Sequence, residues 1–303
     1  MSTLFGAALA ACTAAAGAQY YPQATLYVVA TPIGNLADIS LRALHVLGLV
    51  DTIACEDTRH TQTMLRAYGI DKGQGQLIAL HQHNEMQATQ LVLDRLHQGQ
   101  RVACVSDAGT PGISDPGARL VAAVQAQGLR VVPLPGPSSV TTLLCAAGLV
   151  QTPASFIFVG FLPTKAGERD LAIQELAMQQ RAAVLLEAPH RMETLARALA
   201  PLGARTITIG RELTKQFEEI ATFKVQDMPH WLAQDSQRLR GEFTLVLHPA
   251  APVAESGLDT RALELLLPHL PLKTAVKLAA QISGAPRNAL YQAALTLQTK
   301  PSS

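Results

Sequence analysis

Through residues 25–150, short apolar runs alternate with stretches of helical periodicity, and an unusual polar loop separates each run from the helix after it. TLYVVA, from Thr25, reads as a strand, and SLRALHVLGLV reads as an amphipathic helix with Asp38 or Ser40 as N-cap. TPIGN lies between them. TIAC is followed by EDTRH and a helix TQTMLRAYG closing at Gly69; LIAL is followed by HQHNE and a helix through Leu96 and His97. RVACV leads into SDAGTPGISDPG and the helix ARLVAAVQAQG, and LRVVPL leads into PGPSS and the helix VTTLLCAAG. This repetition predicts a mostly parallel sheet with helices on its faces. All five loops then gather at the carboxyl edge, where open α/β folds bind ligands.

From about Pro153 the pattern changes. FIFVGFLP, a charged helix Gly167–Gln180, AAVLLEAPHR, TITIG running into RELTK, FEEIATFKV and GEFTLVLHP carry more strand and less helix, which predicts α/β structure with antiparallel character. Small residues and proline then replace periodic hydrophobics. The expected division is an N-terminal extension without fixed structure at 1–24, α/β domains at 25–150 and 151–249, a linker at 250–258 and a small helical appendage at 259–303. In the appendage, LKTAVKLAAQISGAPRNALYQAAL has the layout of a helix-turn-helix, with Gly284 at the turn and Lys273, Lys277 and Arg287 available to phosphates. A helix pair that merely packs on the body fits the same pattern.

Composition narrows the picture a little. With 303 residues, 48% of them hydrophobic, the chain has ample core for two domains, and global disorder is excluded. Its 24 basic and 23 acidic side chains nearly cancel, so a nucleic acid would have to be held by a local patch. Cys12, Cys55, Cys104 and Cys145 show no paired spacing and suit reduced thiols in a reducing cytosol. The alanine-rich start lacks the Lys or Arg of an export signal and reads as an extension. No apolar run is long enough to span a bilayer.

The chemistry must come from the loops, because the GxGxxG, GxxxxGK[ST] and GxSxG patterns are all absent. In PGPSS, Ser138 and Ser139 fall at a helix start, where free N–H groups and hydroxyls cap the helix or hold an anion. Asp107, directly after a strand, suits a ligand ammonium or hydroxyl, whereas Asp115 before Pro116 reads as a cap. Glu56, Asp57 and Arg59 form either a solvated helix start or a catalytic group. His81, His83 and Glu85 are metal-like in type but lack a strong further ligand, so polar substrate contacts or capping come first and no metal is expected. Glu187, His190, Arg191, Arg211, Glu212 and Lys215 suggest a second polar wall.

Taken in order, TPIGNLADIS, EDTRHT, HNE, SDAGTPGISDPG, PLPGPSS, GFLP, EAPHR, RELTK and GEFTLV resemble the tetrapyrrole-methylase-type S-adenosylmethionine-dependent methyltransferases. Within them the likeness is to the branch that methylates small-subunit ribosomal RNA at a cytidine 2′-oxygen, and the terminal helices share it. Ser106-Asp107-Ala108-Gly109 stands where the tetrapyrrole branch has a shorter Gly-Asp-Pro, which favours the RNA branch. The long N-terminus and Cys145 depart from the pattern.

The resemblance implies a cytoplasmic homodimer of two-domain α/β chains, with S-adenosylmethionine in the cleft between domains and 16S rRNA or the small ribosomal subunit as partner. By position the donor meets Pro32, Ile33, Gly34, Asp107, Ala108, Gly109, Thr110, Ser138, Ser139, Phe161 and Leu162. A ribose hydroxyl is a weak acid, so a base is expected among Asp57, Glu85, Glu187 and Glu212, with RNA anchors at Arg59, Arg191, Arg211 and Lys215. A tetrapyrrole precursor as acceptor, or a helix-turn-helix regulator with a small-molecule sensor, are the alternatives.

Overall fold

Two five-stranded sheets lie within residues 1–249 of the computed structural model, and three helices form a separate compact unit within 250–303. The structure describes residues 5–73, 75–81, 83–113, 117–150, 155–250 and 260–298. The cap at Asp115, the boundary near Pro153 and nearly all of the linker 250–258 lie outside the described residues.

The chain opens with α1 (Gly6–Ala16), then β1 (Thr25–Val29), α2 (Leu41–Leu49), β2 (Thr52–Cys55), α3 (Thr58–Ala67), β3 (Leu77–Ala79) and α4 (Glu85–His97). β4 (Arg101–Val105), α5 (Gly117–Ala126), β5 (Arg130–Leu134) and α6 (Ser139–Ala146) complete the first half. The first sheet has the order β3-β2-β4-β1-β5, and every pair is parallel. β1 is an uninterrupted apolar run because it is central and buried on both faces. Its alternate residues serve two cores. Tyr27 and Val29 pack with Leu44, Leu47 and Leu65 of α2 and α3, while Leu26 and Val28 pack with Val92, Leu96, Leu120 and Val124 of α4 and α5.

The first helix is a correction. Residues 6–16, expected to have no fixed structure, form α1 and pack on α2, with Cys12 and Ala16 buried and Phe5 against Tyr68 at 5.2 Å between ring centres. An alanine-rich helix has strong propensity but no apolar stripe, so periodicity could not reveal it; small side chains let it lie close to its neighbour. A second shift is at EDTRH, where α3 begins at Thr58 with Asp57 as its cap. Ser40, not Asp38, caps α2, its hydroxyl accepting from Ala43 N–H at 3.1 Å.

The second half runs β6 (Phe156–Phe161), α7 (Ala166–Ala177), β7 (Ala182–Glu187), α8 (Met192–Leu199), β8 (Thr206–Arg211), β9 (Glu219–Lys224), α9 (Met228–Ala233) and β10 (Phe243–Leu247). Its order is β6-β7-β10-β8-β9, with only β6 and β7 parallel. α6 joins the halves: Val140 and Leu143 pack with Ile33 from one side and Val184, Leu213 and Val246 from the other. Separately, α10 (Arg261–Leu266), α11 (Leu272–Ser283) and α12 (Arg287–Gln298) close on Leu263, Val276, Ala279 and Leu290. Gly284, expected at the turn, ends α11 as a left-handed cap at φ +72°. Among the described residues no helix is long and apolar enough to cross a membrane.

Candidate functional site

Because the first sheet is parallel, the loops after its five strands emerge along one rim, and hydrogen bonds knit three of them together. Thr31 and Gly109 exchange backbone bonds of 2.9 and 3.0 Å. The Thr31 hydroxyl donates to Ser106 O, the Ser106 hydroxyl to Gly109 O and the Thr110 hydroxyl to Pro137 O, each at 3.0 Å. Asp57 N–H donates to Asp107 Oδ1 at 3.2 Å and brings in a fourth loop. Glycine is required at two points. Gly109 sits at φ +87°, and a Cβ on Gly136 would lie 2.8 Å from Ala30 Cβ.

The rim faces a wall from the second sheet across a cleft of about 470 Å³. Ile33, Glu56, Asp107, Ala108 and Ser139 line one side, and Phe161, Glu187, Leu213, Glu242 and Thr244 line the other. A smaller cavity of about 310 Å³ opens beside it, between the loop after β1 and α3, bounded by Pro32, Gly34, Met64 and Lys215 among others.

The candidate donor contacts fall unevenly on these cavities. Pro32 and Gly34 border the smaller one, Ile33, Asp107 and Ala108 border both, and Ser139 and Phe161 border the larger. Ser138 is buried at the N-cap of α6. Gly109 and Thr110 hold the loop together, and the Leu162 side chain is buried in the second-sheet core.

Of the four carboxylates read as bases, only Glu187 borders the larger cleft. Burial raises its pKa, against the pull of Ala188 N–H (2.9 Å) and Arg191 (3.1 Å), both on Oε1. Asp57 caps α3 by accepting from Arg59 N–H at 2.8 Å, and hydrogen bonds from Arg59 hold its pKa down. Glu85 is buried, its Oε2 2.8 Å from Arg119 Nη1. Burial pushes Glu212 up, but Lys215 at 2.8 Å and the N–H of Glu242 at 2.9 Å outweigh it, and its pKa is lowered. Lys215 moves the other way: burial would lower its pKa, but Glu212 and Glu242 raise it and keep the amine cationic.

The anchors divide too. Arg59 is 91% exposed and Arg191 is tied to Leu162 O at 2.7 Å. Arg211 is a correction: it is buried, donating to Arg240 O at 3.0 Å and Phe217 O at 3.2 Å, and so is not placed to meet RNA. Among the described residues no cluster of three or more His, Cys, Asp or Glu is arranged for a metal ion. Cys12, Cys55 and Cys104 are buried free thiols, and Cys145 is an exposed one.

Two titratable residues bordering the cavities, Glu242 and His60, escaped the sequence reading. Glu242 precedes a strand, where attention went to loops after strands. β10 runs antiparallel to β7 and β8, so its beginning meets their ends, with Phe243 opposite both Glu187 and Arg211. His60 lies in the first turn of α3, upstream of the expected helix start.

Residues 25–229 match the family model described as tetrapyrrole (corrin/porphyrin) methylases, and residues 254–298 match the RsmI C-terminal HTH domain. The chain is 45% identical over 280 residues to the ribosomal RNA small subunit methyltransferase I of Escherichia coli O157:H7, covering 91% of this chain and 96% of that one. It is 46% identical over 282 residues to the protein of the same name from Pseudomonas aeruginosa, covering 91% and 98%. Among solved structures, the cobalamin biosynthetic enzyme cobalt precorrin-4 methyltransferase aligns with a TM-score of 0.55 at 16% identity, covering 75% of this chain and 98% of that one. Thermus thermophilus uroporphyrin-III C-methyltransferase complexed with S-adenosylhomocysteine aligns at 0.50 and 14% identity, covering 73% and 96%.

Proposed function

Starting from the fact that this chain belongs to the tetrapyrrole (corrin/porphyrin) methylase family, we propose that it methylates small-subunit ribosomal RNA at the 2′-oxygen of a cytidine ribose. It is a methyltransferase, and S-adenosylmethionine is its methyl donor. The observation that carries the RNA reading is the extent of the likeness: 45% identity over 96% of the E. coli relative, through both compact units. A homodimeric state and a cytoplasmic location belong to the same proposal.

The residues of the larger cleft fit the donor. Its volume of about 470 Å³ is in the usual range for small-ligand sites. The close approach at Gly136 lets the loops after β1 and β5 pack together beside the cleft, and the start of α6 presents Ser139 to a carboxylate. Asp107 offers a carboxylate to the donor's ammonium or ribose. When bound, the donor supplies a sulfonium-activated methyl group open to in-line displacement. The chain's part is to align and to dry the site: Ile33, Phe161 and Leu213 exclude water, and a carboxylate of the cleft, Glu187 or Glu242, accepts the proton of the ribose hydroxyl.

The test is transfer of labelled methyl from S-adenosylmethionine to small ribosomal subunits from cells lacking this protein. The expected product is one alkali-resistant ribose in the subunit RNA. Label entering a tetrapyrrole precursor and not RNA, or no heat of S-adenosylmethionine binding in calorimetry, would overturn the reading.

A further inference from the structure

We propose that the smaller cavity, between the loop after β1 and α3, seats the acceptor as a single nucleoside swung out of the RNA strand. This rests on the methyl-transfer reading of the larger cleft. Transfer requires two ligands that meet, and the two cavities adjoin along Ile33, Asp107, Ala108 and Glu242, which border both. At about 310 Å³ against about 470 Å³, the acceptor side is smaller than the donor side. A single nucleoside is smaller than S-adenosylmethionine, in keeping with the smaller cavity.

The lining is divided as a nucleoside is. Pro32, Leu36, Met64 and Ala67 form an apolar floor for the face of a base, with Met64 also packed in the first-sheet core. His60, Lys215 and Glu242 form the polar rim for ribose and phosphate. Lys215 is positioned over the mouth by ion pairs with Glu212 at 2.8 Å and Glu242 at 3.1 Å. Its loop is held there by Asn35 N–H donating to the Thr214 hydroxyl at 3.1 Å, with Glu212 and Thr214 at φ +51° and +67°, a conformation side-chain-bearing residues rarely adopt. Gly34 makes room, since a Cβ there would lie 2.4 Å from Lys215 Cγ.

A track leads in. Thr63 borders both this cavity and a hollow on the outer face of α3 flanked by the exposed Arg59 and Arg66, cations suited to the neighbouring phosphates. The placement also separates the carboxylates of the cleft. Asp107 and Glu242 border the acceptor cavity and Glu56 and Glu187 do not; with Asp107 given to the donor, Glu242 is the base on the acceptor side.

Ala67→Phe and, at an exposed position, Thr63→Trp plug the cavity while leaving the larger cleft alone. Three readouts are needed on the full chain: S-adenosylmethionine calorimetry, kcat and KM on small subunits, and emission from RNA carrying pyrrolocytosine at the modified position, which brightens on unstacking. The expected result is donor affinity within about twofold of wild type, kcat/KM down by about 100-fold or more, and no brightening. Thermal melts exclude misfolding, and either folded variant suffices. Wild-type kcat/KM with normal brightening in a folded variant would overturn the proposal, as would loss of donor binding in both variants. No donor heat from the wild type would instead sink the methyltransferase reading beneath it.

Discussion

Replacing Gly136 with alanine adds one methyl group at the point where the loop after β5 presses on the end of β1. The new Cβ would lie 2.8 Å from Ala30 Cβ, and both atoms are fixed to backbone, so neither can rotate away. Carbon atoms settle at roughly 3.5–4.0 Å, which requires the two chain segments to part by about 1 Å. β1 and β5 are paired up to Val29 and Leu134, so the displacement passes into the turns beyond them. Those turns carry Ile33 and Ser139, on the rim of the donor cleft. Overpacking of this kind costs about 1–3 kcal/mol, and at roughly 2–4 °C per kcal/mol the melting temperature should fall by about 2–12 °C. A rim displaced by about 1 Å should also weaken S-adenosylmethionine binding about tenfold, or ~1.4 kcal/mol. Gly48→Ala is the control, because its methyl group meets nothing within 4 Å. Calorimetric titration and thermal melts read both effects. If Gly136→Ala matched wild type in each, the close approach at the rim would not be what shapes the cleft.

Glu187 and the appendage yield two further predictions. Burial raises the Glu187 pKa above its ordinary 4.5, so the folded state retains a proton that the unfolded chain releases; stability from this group is complete below about pH 4.5 and is lost as pH rises through the raised value. Glu187→Gln does not ionise, and its unfolding free energy measured in urea should therefore gain on wild type between pH 4 and pH 7; a constant difference would refute the burial argument. On α11, Lys273 and Lys277 are exposed. If both meet RNA phosphates, Lys273→Gln with Lys277→Gln should reduce the slope of log K against log salt by about 1.4, and an unchanged slope would remove these helices from the RNA contact.

Much of this protein follows from local pattern alone. The run VVA after Leu26 and Tyr27 must be a strand buried on both faces, and the helices between such runs force the first sheet to be parallel. Parallel strands bring TPIGN, EDTRH, SDAGTPG and PGPSS to one rim wherever in the chain they occur, so the gathering of Ile33, Asp107 and Ser139 around one cleft was legible before any coordinates. The antiparallel second sheet follows no such rule. There the start of β10 reaches the cleft, and only strand order places Glu242 beside Lys215. Burial was likewise a tertiary decision: a charged RELTK segment reads the same whether Arg211 faces solvent or turns inward to the carbonyls of Phe217 and Arg240. Helix α1 makes the same point from the apolar side. Periodicity reports a face only where large and polar residues alternate, and among alanines the neighbour decides which side is buried.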